Sequence, residues 1–148
     1  MKAAFLPDRG VVKVSGEDAR NFLNGIVTTD VTLLQPGLGR FGALLTPQGK
    51  ITIDFLITEA PAGHGGGFLI DAPRPLAQGL ADKLGFYQLR AKVAVENISD
   101  SMGVLAAWDG QPAMKPDLAF ADPRLEALGW RILVPEDLKQ KVADLVAA

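Results

Sequence analysis

The chain is 148 residues long, 48% hydrophobic and carries a formal net charge of −2, enough for one domain with a real core. Its charges are mixed along the sequence, without the Lys/Arg clustering or aromatic–basic interleaving that advertises nucleic-acid binding. It has no cysteine and one histidine, which excludes disulfides, thiolate catalysis and Cys-ligated metals within it and makes a zinc or iron site improbable.

The opening MKAAFLPDRG has too short an apolar run before Pro7 for a signal peptide, and nothing approaches a membrane span, so a soluble, cytoplasmic protein is expected. Arg9 to Val14 contains the strand-like VVKV. Ser15, with Asp18 three residues on, has the form of a capping box. Ala19, Phe22, Leu23 and Ile26 then recur at helical spacing, predicting a helix over Glu17 to Gly25. Val31 to Leu34 reads as extended, and Pro36, Gly37 and Gly39 break the pattern before a strand over Phe41 to Thr46. Thr46-Pro47-Gln48-Gly49 is a turn. In the next strand Ile51, Ile53, Phe55 and Ile57 point to a core, while Thr52, Asp54, Leu56 and Thr58 form a half-polar face that need not meet bulk water.

Pro61 to Gly67 reads as a flexible tip with an exposed His64, and Phe68 to Asp71 as a third strand. Pro73 to Leu84 has helical periodicity, stopped by Gly85. Strands follow near Val93 to Ile98 and over Gly103 to Trp108, joined by a Ser-Asp-Ser turn. A Pro-rich connection over Pro112 to Pro123 comes next, then a strand over Gly129 to Val134. A closing helix is expected to share Leu138, Val142, Leu145 and Val146 on one face. Short hairpins imply antiparallel pairing and an α+β fold. No phosphate-binding glycine motif is complete.

The Asn24 to Lys50 segment is more elaborate than a bare connection requires, as a pocket-shaping loop would be. Asp54 is either a solvated strand carboxylate or a carboxylate at a pocket wall, where it would accept hydrogen bonds from an N–H donor. Asp30 suits an Asx-type turn, and Asp71 suits a cap for the helix after it. Phe86, Tyr87 and Arg90 would stack on a flat ligand, although core anchoring of the aromatics is commoner.

VSGEDARNFLNGIVTTDV, GLGRFGALLTPQGKITIDF, GFLID and KLGFYQLRAKV, in that order, resemble the N-terminal part of the YgfZ group. These are folate-binding, iron–sulfur-assembly-associated proteins related to the glycine-cleavage T-protein, an aminomethyltransferase. The resemblance is close over the first two-thirds of the chain. It implies a mainly antiparallel, T-protein-like folate-binding domain of intertwined ferredoxin-like halves around tetrahydrofolate. By the same resemblance Asp54 falls on the family's functional carboxylate, Asp71 on a folate-contacting asparagine and Phe41 near a pocket aromatic. Thr29 and Asp30 match the loop after the first helix, and Arg90 joins the cofactor-binding candidates.

The family's K-G-C-Y-x-G-Q-E motif is absent. Residues 1–148 are therefore expected to be one truncated folate-binding domain, without the group's C-terminal half and β-rich domain. The resemblance implies a tetrahydrofolate-binding factor for iron–sulfur cluster assembly or repair, bearing indirectly on tRNA modification, with iron–sulfur client or assembly proteins as partners. An aminomethyltransferase-like enzyme and a non-catalytic interaction fragment are the alternatives, and independent catalysis is not expected. Exposed strand edges leave homodimerisation open. No direct nucleic-acid or membrane partner is expected.

Overall fold

The structure, a computed structural model, describes residues 1–112 and 115–148. Two antiparallel sheets form the body. The larger is ordered β3 (Gly39–Leu45), β4 (Ile51–Glu59), β5 (Phe68–Pro73), β2 (Arg9–Ser15), β6 (Ala94–Asn97). The smaller is ordered β1 (Lys2–Phe5), β7 (Met102–Trp108), β9 (Trp130–Pro135), β8 (Ala119–Ala121). The fold is α+β, as the hairpin spacing implied.

Alternation along β4 sorts its side chains between two interiors. Ile53, Phe55 and Ile57 join Val12, Val14 and Ile70 in a core under the helices α1 (Ala19–Asn24) and α2 (Arg74–Tyr87). Ala77, Leu80, Ala81 and Leu84 are the buried stripe of α2, at the spacing that puts one helix face on a sheet. Leu56 points the other way and packs with Val11 and Leu69 against Val104, Phe120 and Leu133 of the smaller sheet. A third cluster lies beyond that sheet, where α3 (Lys139–Ala147) buries Ala143 and Val146. The half-polar face of β4 thus lies between the sheets at Leu56, is open to solvent at Asp54, and at Thr52 borders the end of α2.

Several local expectations are corrected. Lys2–Phe5, too short an apolar run to stand out alone, is a strand because β7 pairs with it. Ser15 remains in β2, and the first helix begins at Ala19 without a side-chain cap. Asp18 instead accepts a hydrogen bond from the Lys92 amide at 2.8 Å. Val31–Leu33 is a turn of 3-10 helix rather than extended, because Asp30 caps it.

Gly85 does not stop the second helix, which runs on to Tyr87. Ile51 is 66% exposed rather than core, since a register irregularity between Leu44 and Leu45 turns the hairpin end outward. The Pro-rich connection contains β8, and its residues 113 and 114 lie outside the described residues. Leu138 and Leu145 are exposed, so the buried stripe of the closing helix runs through Ala143 and Val146.

Candidate functional site

The register places Phe41 opposite Leu56, Leu56 opposite Asp71 and Asp71 opposite Val11, one row across the larger sheet. Ala43 and Asp54 form the neighbouring pair on the same face. In this row Asp71 is 0% exposed. Arg9 Nε and Arg131 Nη1 each donate to its carboxylate at 2.7 Å, and Arg9 Nη2 also donates to its backbone carbonyl at 2.8 Å. A buried carboxylate needs such compensation to remain charged. The helix-cap role expected of Asp71 is not made, for Pro73 occupies the cap of α2.

Arg131 extends the network into the smaller sheet, its Nε lying 3.9 Å from Asp122. Arg124 forks onto Asp122 with bonds of 3.0 and 2.7 Å, the bidentate geometry in which guanidinium and carboxylate match best. Burial opposes ionisation of Asp122 most strongly. The Arg124 hydrogen bonds, aided by the charges of Arg124 and Arg131, together outweigh it and hold the carboxyl below its ordinary value. Arg124 in turn is held more firmly protonated, first by its hydrogen bond to Asp122 and then, against burial, by the charges of Asp122, Asp71 and Asp54. Asp54 is therefore within the field of this network while remaining exposed to solvent.

The loop after α1 borders the same region. Arg20 donates to the carbonyls of Val31 and Leu34 at 2.9 and 3.0 Å, pairs with Glu59 and lies 5.0 Å over the Phe68 ring. The Asn24 side chain accepts from Val31 N, and the Thr28 hydroxyl from Ala43 N. Held this way, Thr29, Leu33 and Leu38 line a cavity of about 440 Å³ with Phe41, Arg40 and Pro123.

The structure thus puts Phe41 and Asp54 on one face of the larger sheet, with Thr29 at the edge of β3, where it lines the cavity beside Phe41 and lies over Gly42 next to Phe55. Asp71 lies beneath them in the ion network. Asp30 makes the expected turn, accepting from Thr32 N at 3.0 Å. The Thr32 hydroxyl and then its amide lower the Asp30 carboxyl. Arg90 is apart, in an exposed turn after α2, the helix that covers the opposite face. Phe86 and Tyr87 are exposed rather than core anchors. His64 is exposed as expected and meets Asp117 at 3.1 Å. Among the described residues no group of three His, Cys, Asp or Glu is placed to hold a metal, and no helix is long and apolar enough to cross a membrane.

Arg9, Asp122, Arg124 and Arg131 were not foreseen. Their signal was a lone charge within an apolar strand, Asp71 in FLIDAP and Arg131 in WRILVP, each of which requires a buried partner.

No protein-family model matches the chain. It is 32% identical over 142 residues to a protein of Mycosarcoma maydis named iron–sulfur cluster assembly factor IBA57 homolog, mitochondrial, a match covering 88% of this chain and 35% of the relative. The counterpart of the same name from Pyricularia oryzae is 33% identical over 141 residues, covering 91% of this chain and 36% of its own. The mouse IBA57 factor is 28% identical over 153 residues, covering 89% and 42%. The chain is a homologue of the IBA57 iron–sulfur cluster assembly factors.

The YgfZ-type resemblance in the sequence therefore holds, and the chain spans about a third of the length of the first two IBA57 relatives. Among solved structures, the glycine cleavage system aminomethyltransferase T from Bartonella henselae matches with a TM-score of 0.73 at 17% identity, over 99% of this chain and 45% of its own. That is a likeness of fold, and the T-protein-like architecture expected from the motifs is present. The cytoplasmic placement does not stand, because these IBA57 relatives are named mitochondrial. Its basis, a missing apolar run, tests for a secretory signal and not for the amphipathic, Arg-rich addresses that direct proteins to mitochondria.

Proposed function

We propose that residues 1–148 act as one tetrahydrofolate-binding unit in iron–sulfur cluster assembly or repair, without independent catalysis and with an indirect bearing on tRNA modification. The observation that carries the assembly role is the homology to IBA57 factors across about nine-tenths of the chain. The partners are then iron–sulfur client or assembly proteins.

For folate, support comes from the chemistry of the inter-sheet side. Asp54 offers an accessible carboxylate that accepts N–H donors of a pterin, and Phe41 offers a half-exposed aromatic ring. The adjoining cavity of about 440 Å³ lies within the usual span of small-molecule sites, about 300–1,000 Å³. These residues fit the group. Asp54 orients the pterin or its one-carbon adduct, Phe41 and Thr29 shape the wall, and Arg124 keeps the carboxylate's surroundings charge-balanced. Asp71 acts from below, holding Arg9 and Arg131 in place. Tetrahydrofolate supplies the one-carbon carrier chemistry.

Calorimetric titration of tetrahydrofolate into the chain and into Asp54→Ala tests this. Saturable heat from the first and at least about tenfold weaker binding by the second are expected, the loss of a charge-assisted hydrogen bond. Equal affinities would remove Asp54 from the site. No heat from either would remove folate from the account of this chain while leaving the assembly homology intact.

A further inference from the structure

We propose that Arg40, seconded by Lys115, is a subsite for the anionic tail of the ligand, so that the cavity beside Phe41 selects a folate by its glutamyl carboxylates. The inference rests on the folate reading above and adds the end of the ligand opposite Asp54.

Arg40 and Phe41 follow each other on β3, the outermost strand of the larger sheet, and both line the cavity of about 440 Å³ at its edge. Thr29, Leu33, Leu38 and Pro123 supply most of the remaining wall, in which Arg40 is the one charged side chain among the described residues. A half-buried guanidinium set among apolar neighbours attracts a carboxylate more strongly than one in open water does.

The carboxylates of the flanking elements are already engaged. Asp30 accepts from the Thr32 amide and hydroxyl, Glu59 is paired with Arg20, and Asp122 is forked by Arg124. Arg40 touches Asp30 only through its field, the smallest of the influences on that carboxyl. A second cation stands close by. Lys115 Nζ lies 3.6 Å from the place of a Cβ on Gly37, two residues before the wall at Gly39, and 5.3 Å over the Trp130 ring. The unpaired charge at this end of the cavity is therefore of one sign, and it suits a tail with more than one carboxylate.

Order along the strand completes the argument. Asp54 stands beside Ala43, Phe41 comes two residues on and Arg40 next. At a rise of about 3.3 Å per residue the run from Ala43 to Arg40 is about 10 Å. An acceptor for N–H groups, an aromatic ring and a cation thus succeed one another. That sequence matches a ligand with an N–H-rich ring at one end, an aryl spacer and a carboxylate tail at the other.

Calorimetry on the parent chain, Arg40→Gln and Arg40→Lys compares tetrahydrofolate with its diamide, in which both glutamyl carboxylates are amides. The parent should bind the diamide at least about tenfold more weakly. Arg40→Gln should bring tetrahydrofolate down to about the diamide's affinity and leave the diamide where it was. Arg40→Lys should keep a preference of at least about threefold, and Lys115→Gln should narrow the parent's preference by about threefold. In the parent, the Arg40 Nε–H resonance should move with tetrahydrofolate and stay with the diamide, a readout that needs no variant to fold. Equal affinity of the parent for the two ligands overturns the tail subsite while the folate reading stands. Arg40→Gln weakening both ligands alike also overturns it, making Arg40 part of the wall and nothing more. Binding of neither ligand overturns the folate reading and this inference with it.

Discussion

The five-stranded sheet is covered on one face by helices and on the other by a second sheet, and the two faces are built from different materials. Under the helices lie Val12, Phe55, Ile70, Leu80 and Leu84, with the Arg20–Glu59 pair only at the margin, over Phe68. Between the sheets, apolar residues such as Leu56 and Phe120 alternate with Asp71, Arg9 and Arg131, and the network runs out to Asp122 and Arg124. An apolar interior is stabilised by burial at little risk. A charged one stabilises only while every partner is present. What the second face gains is a set of fixed charges next to an accessible carboxylate and a cavity, which the helix-covered core does not provide.

Removing the centre of the charged face should have the largest effect. Asp71→Ala leaves Arg9 and Arg131 facing each other largely out of water, and about 3–5 kcal/mol of stability should disappear in denaturant titration. On the apolar face, Leu84→Ala opens a cavity under α2 and should cost about 2–5 kcal/mol.

Gly39 sharpens the contrast from the side of packing. A Cβ at Gly39 overlaps the Phe120 ring that the smaller sheet lays on it. Gly39→Ala should therefore destabilise by about 1–3 kcal/mol through overpacking, measurable as a lower midpoint at unchanged m-value.

Asp122 gives the charged face a pH signature. Its folded carboxyl titrates below the ordinary value, so its contribution is complete above the unfolded value of about 4 and is lost as pH falls through the folded one. Asp122→Asn should cost about 2 kcal/mol at neutral pH, and its gap from the parent chain should close as the solution is acidified below about pH 4. A gap that persists in acid would mean that packing, rather than the ion pairs, holds Asp122. At the small end, Asp54→Asn should move stability by no more than about 0.5 kcal/mol, because an exposed side chain carries little of the fold.

Much of this layout was legible in the residues. Alternation along β4 separates Phe55 and Ile57 from Leu56 and Thr58 in the sequence alone, and the half-polar character of the second set marks a face that need not meet bulk water. The spacing of Ala77, Leu80 and Leu84 fixed the buried side of α2. What remained hidden depended on pairing across the chain. Lys2–Phe5 is a strand only because β7 lies beside it, and Asp18 answers Lys92 rather than its own helix.

Asp71 read as a cap for the helix after it, and its bond to Arg131 stayed hidden, because contacts across 60 residues leave no local mark. Gly85 misled for a related reason, as continued hydrogen bonding carried α2 two residues past a residue that often ends helices. The motif series supplied the family, which composition and periodicity did not.

The direct test of functional asymmetry between the two faces is an amide-shift map of the chain titrated with tetrahydrofolate, repeated on Asp54→Asn. Shifts confined to Phe41, Asp54 and their neighbours on the inter-sheet side, and to Thr29 at the edge of β3, are expected, with their loss in the variant while its unfolding midpoint is unchanged. Shifts centred on α2, or a map that Asp54→Asn leaves intact, would contradict the asymmetry.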